Sequence, residues 1–487
     1  MASPRYGAVA IVPAGSRRRD VVFTAPFWRR GTAVITGKDL IQWGFKPGKW
    51  FPGAIADAQR MEGEGRSQDE IFAHLQTLMP VEMMPRTNAL PFGVFLEPEN
   101  DVERDNLGLV VEAMDALLRT PTVVSGVVMP DACPAGTIPV GGVVATRNAI
   151  HPGFHSADIC CSMAITVFKR NDDPKKILDA AFEITHFGPG GRKDQRGRAM
   201  PAELSARFKA NRFLSDVTAI GDSNLGTQGD GNHFLYVGHL RSTGQPAIVT
   251  HHGSRGPGAM LYKRGMAVAR RHTAIVSPKT PPGAAWIEAD TPDGRAYWDA
   301  LQVIREWTKQ NHFRIHDRIQ AKLGNQIADR FWNEHNFVFR RDDGLFYHAK
   351  GATPSFDGFS PDDDGRTLIP MNMSEPILIA GHADKKAALG FSPHGAGRNM
   401  SRTRYLREVI GSRDFDDVVK AETNGLDIRF WLGTPDLSEL PAAYKSASQV
   451  VGQIERHRLA TIDDFVDPYG SIMAGDWQKD MPWRDRR

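Results

Sequence analysis

The spacing of hydrophobic and polar positions changes along the chain and separates a helical region from a strand-rich one. Residues 32–120 look mixed and mainly helical, and Ser67 precedes Glu70 with capping-box spacing just before the apolar positions Ile71 and Leu75. From about 121 to 168 the chain turns to short β-rich runs at 123–128, 138–146 and 164–168, broken by Gly and Pro. The pattern therefore predicts a mainly helical N-terminal elaboration, residues 1–120, before a region that contains sheets.

Further along, the pattern predicts alternating helices and short strands. Helices are expected at 175–183 and 201–213, a basic amphipathic helix at 259–272, and one or two long helices within 295–331. A loop-rich segment, 340–367, should run over the surface, and short strands return at 368–370 and 376–380. These elements predict an α+β fold with the chemistry in turns between strands, a main domain over 121–475, and a tail over 476–487.

Composition narrows the class of protein. The 487 residues are 41% hydrophobic and 24% charged, as in soluble globular proteins, and no apolar run approaches the roughly 20 residues of a membrane span. The basic run at 17–19 is not followed by the apolar core of a signal peptide, so we expect a cytoplasmic protein without membrane contact. The net charge of +3 is small, so any contact with nucleic acid should be local, at 17–19, 263–271 or 398–404. Each of these runs is also explained by a solvated charged face.

The cysteine and histidine content favours metal chemistry. Of the three cysteines, Cys160 and Cys161 are adjacent, which excludes a disulfide framework. Soft or borderline ligands stand beside glycines in separate segments, which are Asp158-Ile-Cys-Cys161, Gly231-Asn-His-Phe234, His251-His-Gly-Ser-Arg-Gly256, His335-Asn336 and His394-Gly-Ala-Gly-Arg398. Each histidine alone is more often a surface or core residue, but together the set suits a divalent metal such as zinc or manganese. An extended segment would put Asp158 and Cys160 on one face, whereas a tight turn would bring Asp158 and Cys161 together.

The order of these segments resembles the RtcB family of RNA-splicing ligases over about residues 129–402. The motifs that carry the resemblance are Met129-Pro-Asp131, Asp158-x-x-Cys161, Gly231-Asn-His-Phe234, His251-x-Gly-Ser-Arg-Gly256, His335-Asn336, Lys350-Gly-Ala-Thr353 and His394-Gly-Ala-Gly-Arg-x-Met-Ser-Arg402, with Pro441-Ala-Ala-Tyr-Lys445 beyond them. The resemblance implies mixed sheets with outer helices around a central cleft for metal and nucleotide. It also implies two manganese ions, GTP, and joining of an RNA 3′-phosphate or 2′,3′-cyclic phosphate to a 5′-hydroxyl.

Carried over by position, the resemblance implies a role for each matching residue. The metal ligands would be Asp158, Cys161, His233, His251 and His335, with the thiolate of Cys161 able to bridge two ions. His394 would be the nucleophile that carries the guanylate. The nucleotide would be bound by Asn232, Asn372, Ser374, His394, Gly395, Ala396, Gly397 and Tyr444, and phosphates of RNA or nucleotide by Arg255, Lys350 and Arg398. For the two arginines an ordinary surface ion pair is the competing interpretation.

The sequence also departs from the family pattern, mainly where the nucleobase would be read. The usual Asp-Ile-Gly-Cys-Gly has Cys160 and Ser162 in place of its glycines, and Cys133 replaces a histidine after the Met-Pro-Asp motif. Tyr236 replaces a glutamate, Pro370-Met-Asn-Met-Ser374 replaces a Pro-Gly-Ser-Met-Gly turn, and Ile472-Met-Ala-Gly475 lacks the family's C-terminal lysine. All the residues that match the family's metal ligands and nucleophile are present.

This distribution predicts a divergent but active ligase with weakened guanine selectivity. We favour repair of cleaved structured RNA over routine intron splicing, and an activator or release-factor-like partner is left open. The alternatives are a manganese-dependent phosphoesterase that forms no covalent guanylate and a non-catalytic protein that binds RNA ends.

Overall fold

The computed structural model describes residues 34–48, 50–79, 82–169, 172–188, 190–191, 199–411, 413–423 and 425–476. The predicted basic patch at 17–19 lies outside these residues. The chain divides into two compact units, residues 1–81 and 82–487. The boundary near residue 120 and the separate tail from 476 stay predictions from the sequence.

The described residues contain thirteen α-helices. They are α1 (Gly37–Gln42), α2 (Phe51–Gly63), α3 (Gln68–Leu78), α4 (Asp101–Leu118), α5 (Pro152–His155), α6 (Pro174–Ile184), α7 (Ala202–Ala210), α8 (Thr218–Asn224), α9 (Arg255–Val276), α10 (Pro292–Leu323), α11 (Arg402–Tyr405), α12 (Phe415–Thr423) and α13 (Ala447–His457). The predicted capping box is confirmed, because the Ser67 side chain accepts from the Glu70 N–H while the Glu70 carboxylate accepts from the Ser67 N–H. The helices predicted at 175–183, 201–213 and 259–272 correspond to α6, α7 and α9.

In the described part of the chain, seventeen strands form two large sheets and two small ones. The strands are β1 (Gly93–Val94), β2 (Val123–Cys133), β3 (Val140–Thr146), β4 (Ala149–Ile150), β5 (Ser162–Phe168), β6 (Phe234–Leu240), β7 (Pro246–His252), β8 (Ile287–Glu288), β9 (Ile327–Glu334), β10 (Asn336–Arg340), β11 (Phe346–Lys350), β12 (Ala352–Pro354), β13 (Arg366–Pro370), β14 (Ile377–His382), β15 (Phe391–Pro393), β16 (Asp427–Phe430) and β17 (Ala460–Met473). The five-stranded sheet has the order β1-β2-β3-β11-β10, and the eight-stranded sheet has the order β13-β14-β17-β6-β7-β5-β9 with β16 paired to β17. The pairs β12-β15 and β4-β8 complete the set, so the predicted α+β class is confirmed.

The first unit, within the described residues 34–79, is a small helical body. Its apolar side chains form one cluster around Leu40, Phe51, Ile71 and Leu75, each less than a tenth exposed. Helices α1, α2 and α3 supply these side chains from one face each, which is the arrangement expected of amphipathic helices that share a core.

In the second unit, the long helix α10 packs against the eight-stranded sheet. Trp307 in this 32-residue helix is fully buried. Two histidines of the helix reach the sheet, since His312 contacts Ser162 Oγ at 3.0 Å and His316 contacts Thr166 Oγ1 at 2.8 Å. Buried polar groups that are mutually satisfied fix the register of the helix on β5.

Two sequence predictions are wrong in part. The helical stretch 295–331 fails over 327–331, because Gly324 adopts the left-handed conformation that ends α10 and the chain then pairs as β9 with β5. The surface loop 340–367 fails over 346–354, because β11 lies between β3 and β10 and β12 pairs with β15. Strand β11 contains Tyr347 and His348, which carry polar atoms although both side chains are buried. The strands expected at 368–370 and 376–380 are confirmed as β13 and β14.

Within the described residues, no helix is both long enough and apolar enough to cross a membrane.

Candidate active site and metal centre

The candidate metal ligands gather because four neighbouring strands of the eight-stranded sheet present the same end. The strands lie in the order β6-β7-β5-β9. His233 precedes β6, Cys161 precedes β5, His335 follows β9, and His251 lies near the end of β7, opposite Phe234 of β6. Antiparallel pairing therefore brings residues that are far apart in the chain to one edge of the sheet.

A tight turn before β5 decides which cysteine faces the site. The Cys161 N–H donates to the Asp158 carbonyl at 3.3 Å, and Cys160 has a φ of 57°, in the left-handed region. The side chain of Cys160 then packs in the hydrophobic core, whereas Cys161 faces the other ligands. Of the two arrangements that the sequence left open, the structure adopts the one that joins Asp158 and Cys161. A side chain in this conformation costs roughly 1 kcal/mol relative to glycine.

The donor atoms form two overlapping groups that share the thiol. Cys161 Sγ lies 3.2 Å from His251 Nε2, which in turn lies 3.2 Å from His335 Nε2. On the other side, Cys161 Sγ lies 3.5 Å from His233 Nε2, and that nitrogen is 3.9 Å from Asp158 Oδ2. Each group holds its three donor atoms within 4.8 Å of one another. These distances suit atoms that converge on two cations with the sulfur between them.

The protonation states of these groups also suit a cation. Burial lowers the pKa of His251 to about 3 and, with the nearby His394, lowers the pKa of His335, so both rings are neutral as a metal ligand must be. His251 Nδ1 donates to the Asn232 carbonyl at 3.0 Å, which leaves the Nε2 lone pair facing the thiol. Burial and the Asp158 carboxylate raise the pKa of the Cys161 thiol, so a bound cation is needed to favour the thiolate.

His394 stands beside this metal centre and is oriented by a buried carboxylate. Its Nδ1 lies 2.5 Å from Asp131 Oδ2, and its backbone N–H donates to the same oxygen at 3.1 Å. Asp131 is fully buried. Because a carboxylate only accepts, Nδ1 carries the hydrogen and Nε2 keeps a lone pair. The ring centroid of His394 lies 4.8 Å from that of His335, so the candidate nucleophile and a candidate metal ligand are neighbours.

A cavity of about 280 Å³ joins the metal centre to His394. Of the residues predicted from the sequence, its wall includes Asp158, Cys161, Asn232, His251, His335, Lys350, Asn372, His394, Gly395, Ala396, Gly397, Arg398 and Tyr444. Burial lowers the pKa of Lys350, whose ammonium donates to the Ile138 carbonyl at 3.2 Å. The cavity therefore combines a candidate nucleophile, metal ligands and cationic side chains.

The buried carboxylate of Glu439 contacts three side chains of the cavity wall. Glu439 is 1% exposed and accepts from the Tyr444 hydroxyl and from Arg402 Nε, the latter at 2.7 Å. Arg398 also reaches it at 3.4 Å, and its guanidinium lies 5.1 Å from the centre of the Tyr444 ring. Arg402 also interacts electrostatically with Asp436, so two carboxylates face the two arginines. Both guanidinium groups line the cavity, where they suit an anionic ligand.

Three predicted residues lie off the cavity wall that the described residues form. His233 contributes to the metal centre from behind the wall. The Ser374 hydroxyl donates to the Glu422 carbonyl at 2.7 Å. The Arg255 guanidinium donates to the Gly188 carbonyl at 2.6 Å, so in this structure it holds a loop instead of reaching into the cavity.

Several departures from the family pattern also lie on this wall. Tyr236, Met473 and Cys133 all line the cavity. The Tyr236 hydroxyl donates to the Val466 carbonyl at 3.0 Å, which turns a position with a family carboxylate into a neutral, satisfied group. Compared with the family pattern, this part of the wall offers fewer polar groups that could hydrogen-bond to a base edge.

Two residues of the site were missed by reasoning from the sequence. Asp131 belongs to the Met-Pro-Asp motif, which signalled the family but not the contact with His394. Glu439 had no signal, because nothing in the residues around it points to its contacts with Arg398 and Arg402.

Comparison with known proteins identifies the same family. A family model described as tRNA-splicing ligase RtcB matches residues 199–473, which is more than half of the chain. The chain is 25% identical over 403 residues to the tRNA-splicing ligase RtcB of Aeropyrum pernix, covering 66% of this chain and 82% of that protein. It is 25% identical over 426 residues to the Archaeoglobus fulgidus tRNA-splicing ligase RtcB, covering 71% and 87%. Similarity to the Entamoeba dispar RNA-splicing ligase RtcB homolog 1 is 23% over 408 residues, covering 68% and 75%.

Proposed function

We propose, since this chain belongs to the RtcB family of tRNA-splicing ligases, that it joins RNA 3′-phosphate or 2′,3′-cyclic phosphate ends to 5′-hydroxyl ends with GTP. The observation that carries the proposal is the pair of His394 and Asp131 beside a centre of thiol, imidazole and carboxylate donors. A nucleophile next to a cation site is the arrangement needed for nucleotidyl transfer.

In the first step, His394 attacks the α-phosphorus of GTP through Nε2. The N–P bond forms as the bond from the α-phosphorus to the leaving oxygen breaks, which releases pyrophosphate and leaves histidine guanylate. Asp131 holds the Nδ1 hydrogen and stabilises the positive charge that develops on the ring. Lys350 and Arg398 on the cavity wall supply cationic groups for the phosphate oxygens.

The donor set fits two divalent cations, and we propose manganese. Cys161, His251 and His335 would hold one ion, and Cys161, Asp158 and His233 the other. Bound there, the ions would neutralise charge on phosphate oxygens and lower the pKa of a bound hydroxyl. Zinc would compete for the thiolate.

In the second and third steps, the guanylate moves to the RNA and is then displaced. A 3′-phosphate oxygen attacks the guanylate phosphorus and frees the histidine, which gives an RNA end activated as a mixed anhydride. The 5′-hydroxyl of the other RNA attacks the 3′-phosphorus, forms the phosphodiester and releases GMP. A cyclic phosphate must first be hydrolysed to a 3′-phosphate.

Tyr444 would stack on the nucleobase, and Asn232 and Asn372 would contact the nucleotide. Because Tyr236 and Met473 offer little for reading a base edge, we propose weaker selection of GTP over ATP than is usual in the family. One lost hydrogen bond to a base edge costs roughly 1–3 kcal/mol, or about one to two powers of ten. Competition of unlabelled ATP against labelled GTP measures this selectivity, and a many-thousandfold preference for GTP would contradict it.

The decisive experiment is covalent labelling with α-³²P-GTP and manganese, followed by a denaturing gel. The unmodified protein should retain label, His394→Ala should retain none, and His239→Ala, changed near the other end of β6, should label normally. A manganese-dependent phosphoesterase would trap no label on the protein. Retained labelling of His394→Ala would refute its role as nucleophile.

A second experiment tests the RNA ends. Two nicked RNAs of one sequence are offered with manganese and GTP, one with 3′-phosphate and 5′-hydroxyl ends and the other with 3′-hydroxyl and 5′-phosphate ends. Only the first should be joined. Joining of the second would contradict the proposed chemistry, and RNA binding without any joining would favour a non-catalytic protein that binds RNA ends.

A further inference from the structure

The connection between β12 and β13 carries three consecutive aspartates that have different partners. Asp362 pairs with a lysine of α10 and accepts from a tryptophan indole at 3.0 Å. Asp364 pairs with the arginine that begins β13. Asp363 faces His382 at the end of β14, and this is its ionic partner among the described residues. Of the three carboxylates, only this one lies opposite a histidine.

Asp363 is held in place by backbone donors. Its Oδ2 accepts the Gly358 N–H at 2.7 Å and its Oδ1 accepts the Gly365 N–H at 3.0 Å. Its side chain is 5% exposed. A carboxylate bonded in this way cannot turn away from the histidine without losing both bonds.

His382 has one ring nitrogen bound and the other turned towards this carboxylate. Its Nδ1 lies 2.9 Å from Asp357 Oδ1, so Nδ1 carries the hydrogen that the carboxylate accepts. The side chain is 6% exposed, and Nε2 has no hydrogen-bond partner among the described residues. This nitrogen lies 3.8 Å from Asp363 Oδ1, beyond hydrogen-bond range. Two buried electron-pair donors therefore face each other, which is unfavourable unless a positive charge lies between them.

We propose that Asp363 and His382, supported by Asp357, form a second site for a divalent cation such as zinc or manganese. One donor atom from each of the three residues lies within 4.8 Å of the other two. Atoms 3.8 Å apart can both reach a zinc ion at about 2.0–2.2 Å. A nitrogen with oxygen ligands suits zinc or manganese better than magnesium, which prefers oxygen alone.

Asp357 completes the arrangement from the solvent side. A carboxylate that accepts the second N–H of a ligating histidine fixes the ring and makes the other nitrogen more basic. The side chain of Asp357 is 90% exposed, so water can fill the remaining positions around the ion.

A cation at this site would fix the connection between β12 and β13, which is linked to the strand that precedes His394. Ser355, at the start of this connection, donates its N–H to the Gly390 carbonyl and accepts the Asp384 N–H, both at 2.7 Å. The preceding strand β12 pairs with β15, which leads directly to His394. A cation that joins this connection to the end of β14 would therefore stabilise the fold, and its role does not depend on the proposed ligase activity.

The test measures metal content where the thiolate site has been disabled. Cys161→Ala protein, freed of metal, is dialysed against zinc or manganese and analysed by mass spectrometry, alone and combined with His382→Gln or Asp363→Asn. We expect the Cys161→Ala protein to keep one site, and each added substitution to weaken that site at least about tenfold. Asp342→Asn, which removes an exposed carboxylate from the turn after β10, is the matched control and should change the affinity less than twofold.

Cobalt and thermal unfolding provide readouts that are independent of activity. Cobalt bound by a thiolate absorbs in the near ultraviolet, whereas cobalt held by nitrogen and oxygen does not. We expect Cys161→Ala to bind cobalt without the thiolate band, and zinc to raise its melting temperature unless His382 is also replaced. If the bound metal is the same with and without His382→Gln, or if Cys161→Ala binds none, the site does not exist and a protonated imidazole bridges the carboxylates instead.

Discussion

Replacing Asp131 by asparagine tests whether its carboxylate orients the imidazole of His394, the candidate nucleophile. The carboxylate accepts both the Nδ1 hydrogen and the backbone N–H of His394 on one oxygen. Its other oxygen, Oδ1, accepts no hydrogen bond from any described residue, so the amide loses nothing there. The substitution keeps the shape of the side chain and removes its charge. It therefore changes the hydrogen bond that orients the imidazole, with little change in packing.

The size of the effect depends on which amide atom faces the ring. If the amide oxygen takes the place of Oδ2, one charge-assisted hydrogen bond becomes neutral, at a cost of about 1.5–3 kcal/mol, or one to two powers of ten in rate. If the amide nitrogen faces Nδ1, the ring must move its hydrogen to Nε2. That tautomer has no lone pair for the α-phosphorus, and the expected loss is about 10⁴-fold, as for a serine-protease triad held in the wrong tautomer.

The assay is the single-turnover rate of protein labelling by α-³²P-GTP at saturating manganese. We expect Asp131→Asn to label between about 10 and 10⁴ times more slowly with unchanged metal content. Asp467→Asn, which removes an exposed carboxylate paired with Arg241, should label at the unmodified rate. A correctly folded Asp131→Asn protein that labels at the normal rate would refute the argument that Asp131 orients His394.

Three further predictions concern the metal centre and the fold. Cys161→Ala should lose the metal held by the two donor groups that share its thiol and keep only an ion bound at Asp363 and His382. Cys160→Ala should keep all of its metal and lose about 1 kcal/mol of stability from the core; metal analysis and urea unfolding decide between them. A Cβ at Gly229 would lie 1.8 Å from Nδ1 of the imidazole four residues later, so Gly229→Ala should weaken metal binding, while Gly452→Ala, where a Cβ meets open space, should not. Burial lowers the pKa of His151 from 6.5 to about 3, so between these pH values the unfolded chain binds a proton that the folded chain does not. This one histidine should lower the free energy of unfolding by up to about 1.4 kcal/mol per pH unit as the pH falls below 6.5, in addition to other buried histidines such as His155 and His316. His151→Gln should make the fall less steep by that amount, and an unchanged pH profile of the urea midpoint would contradict it.

Much of the secondary structure could be predicted because local pattern and local structure agree. The capping box at Ser67 and the apolar runs of β2, β3 and β5 were readable for this reason. The two errors have different causes. The segment 340–367 is rich in Asp and Gly, and this composition hid the short strands β11 and β12 within it. Periodicity alone also could not find the end of α10 before β9.

The candidate site was predictable only as far as its motifs are local. The candidate ligands were found because each stands in a short segment that matches a motif of the family. The contact between Asp131 and His394 joins residues 263 positions apart, and Glu439 meets Arg398 and Arg402 across a fold that no local pattern encodes. Such partners are determined by sheet order and loop path, which follow from the packing of the whole unit.

Pairs of adjacent residues explain how the metal centre is held before any cation binds. At the end of β7, consecutive side chains point to opposite faces, so His251 faces the site while His252 stacks on His312 of α10 with a centroid separation of 3.5 Å.

At the start of β5, adjacent side chains also point to opposite faces. Cys161 faces the candidate metal centre, whereas Ser162, which replaces a family glycine, contacts the His312 ring at 3.0 Å. Each of these two candidate ligands is thus followed in the chain by a residue anchored to the same buried helix. Moving either ligand would break a buried hydrogen bond or ring contact behind it, so we expect both donors to keep their positions without metal. A cation would then bind to donors that are already in place, and little binding energy would be needed to order them.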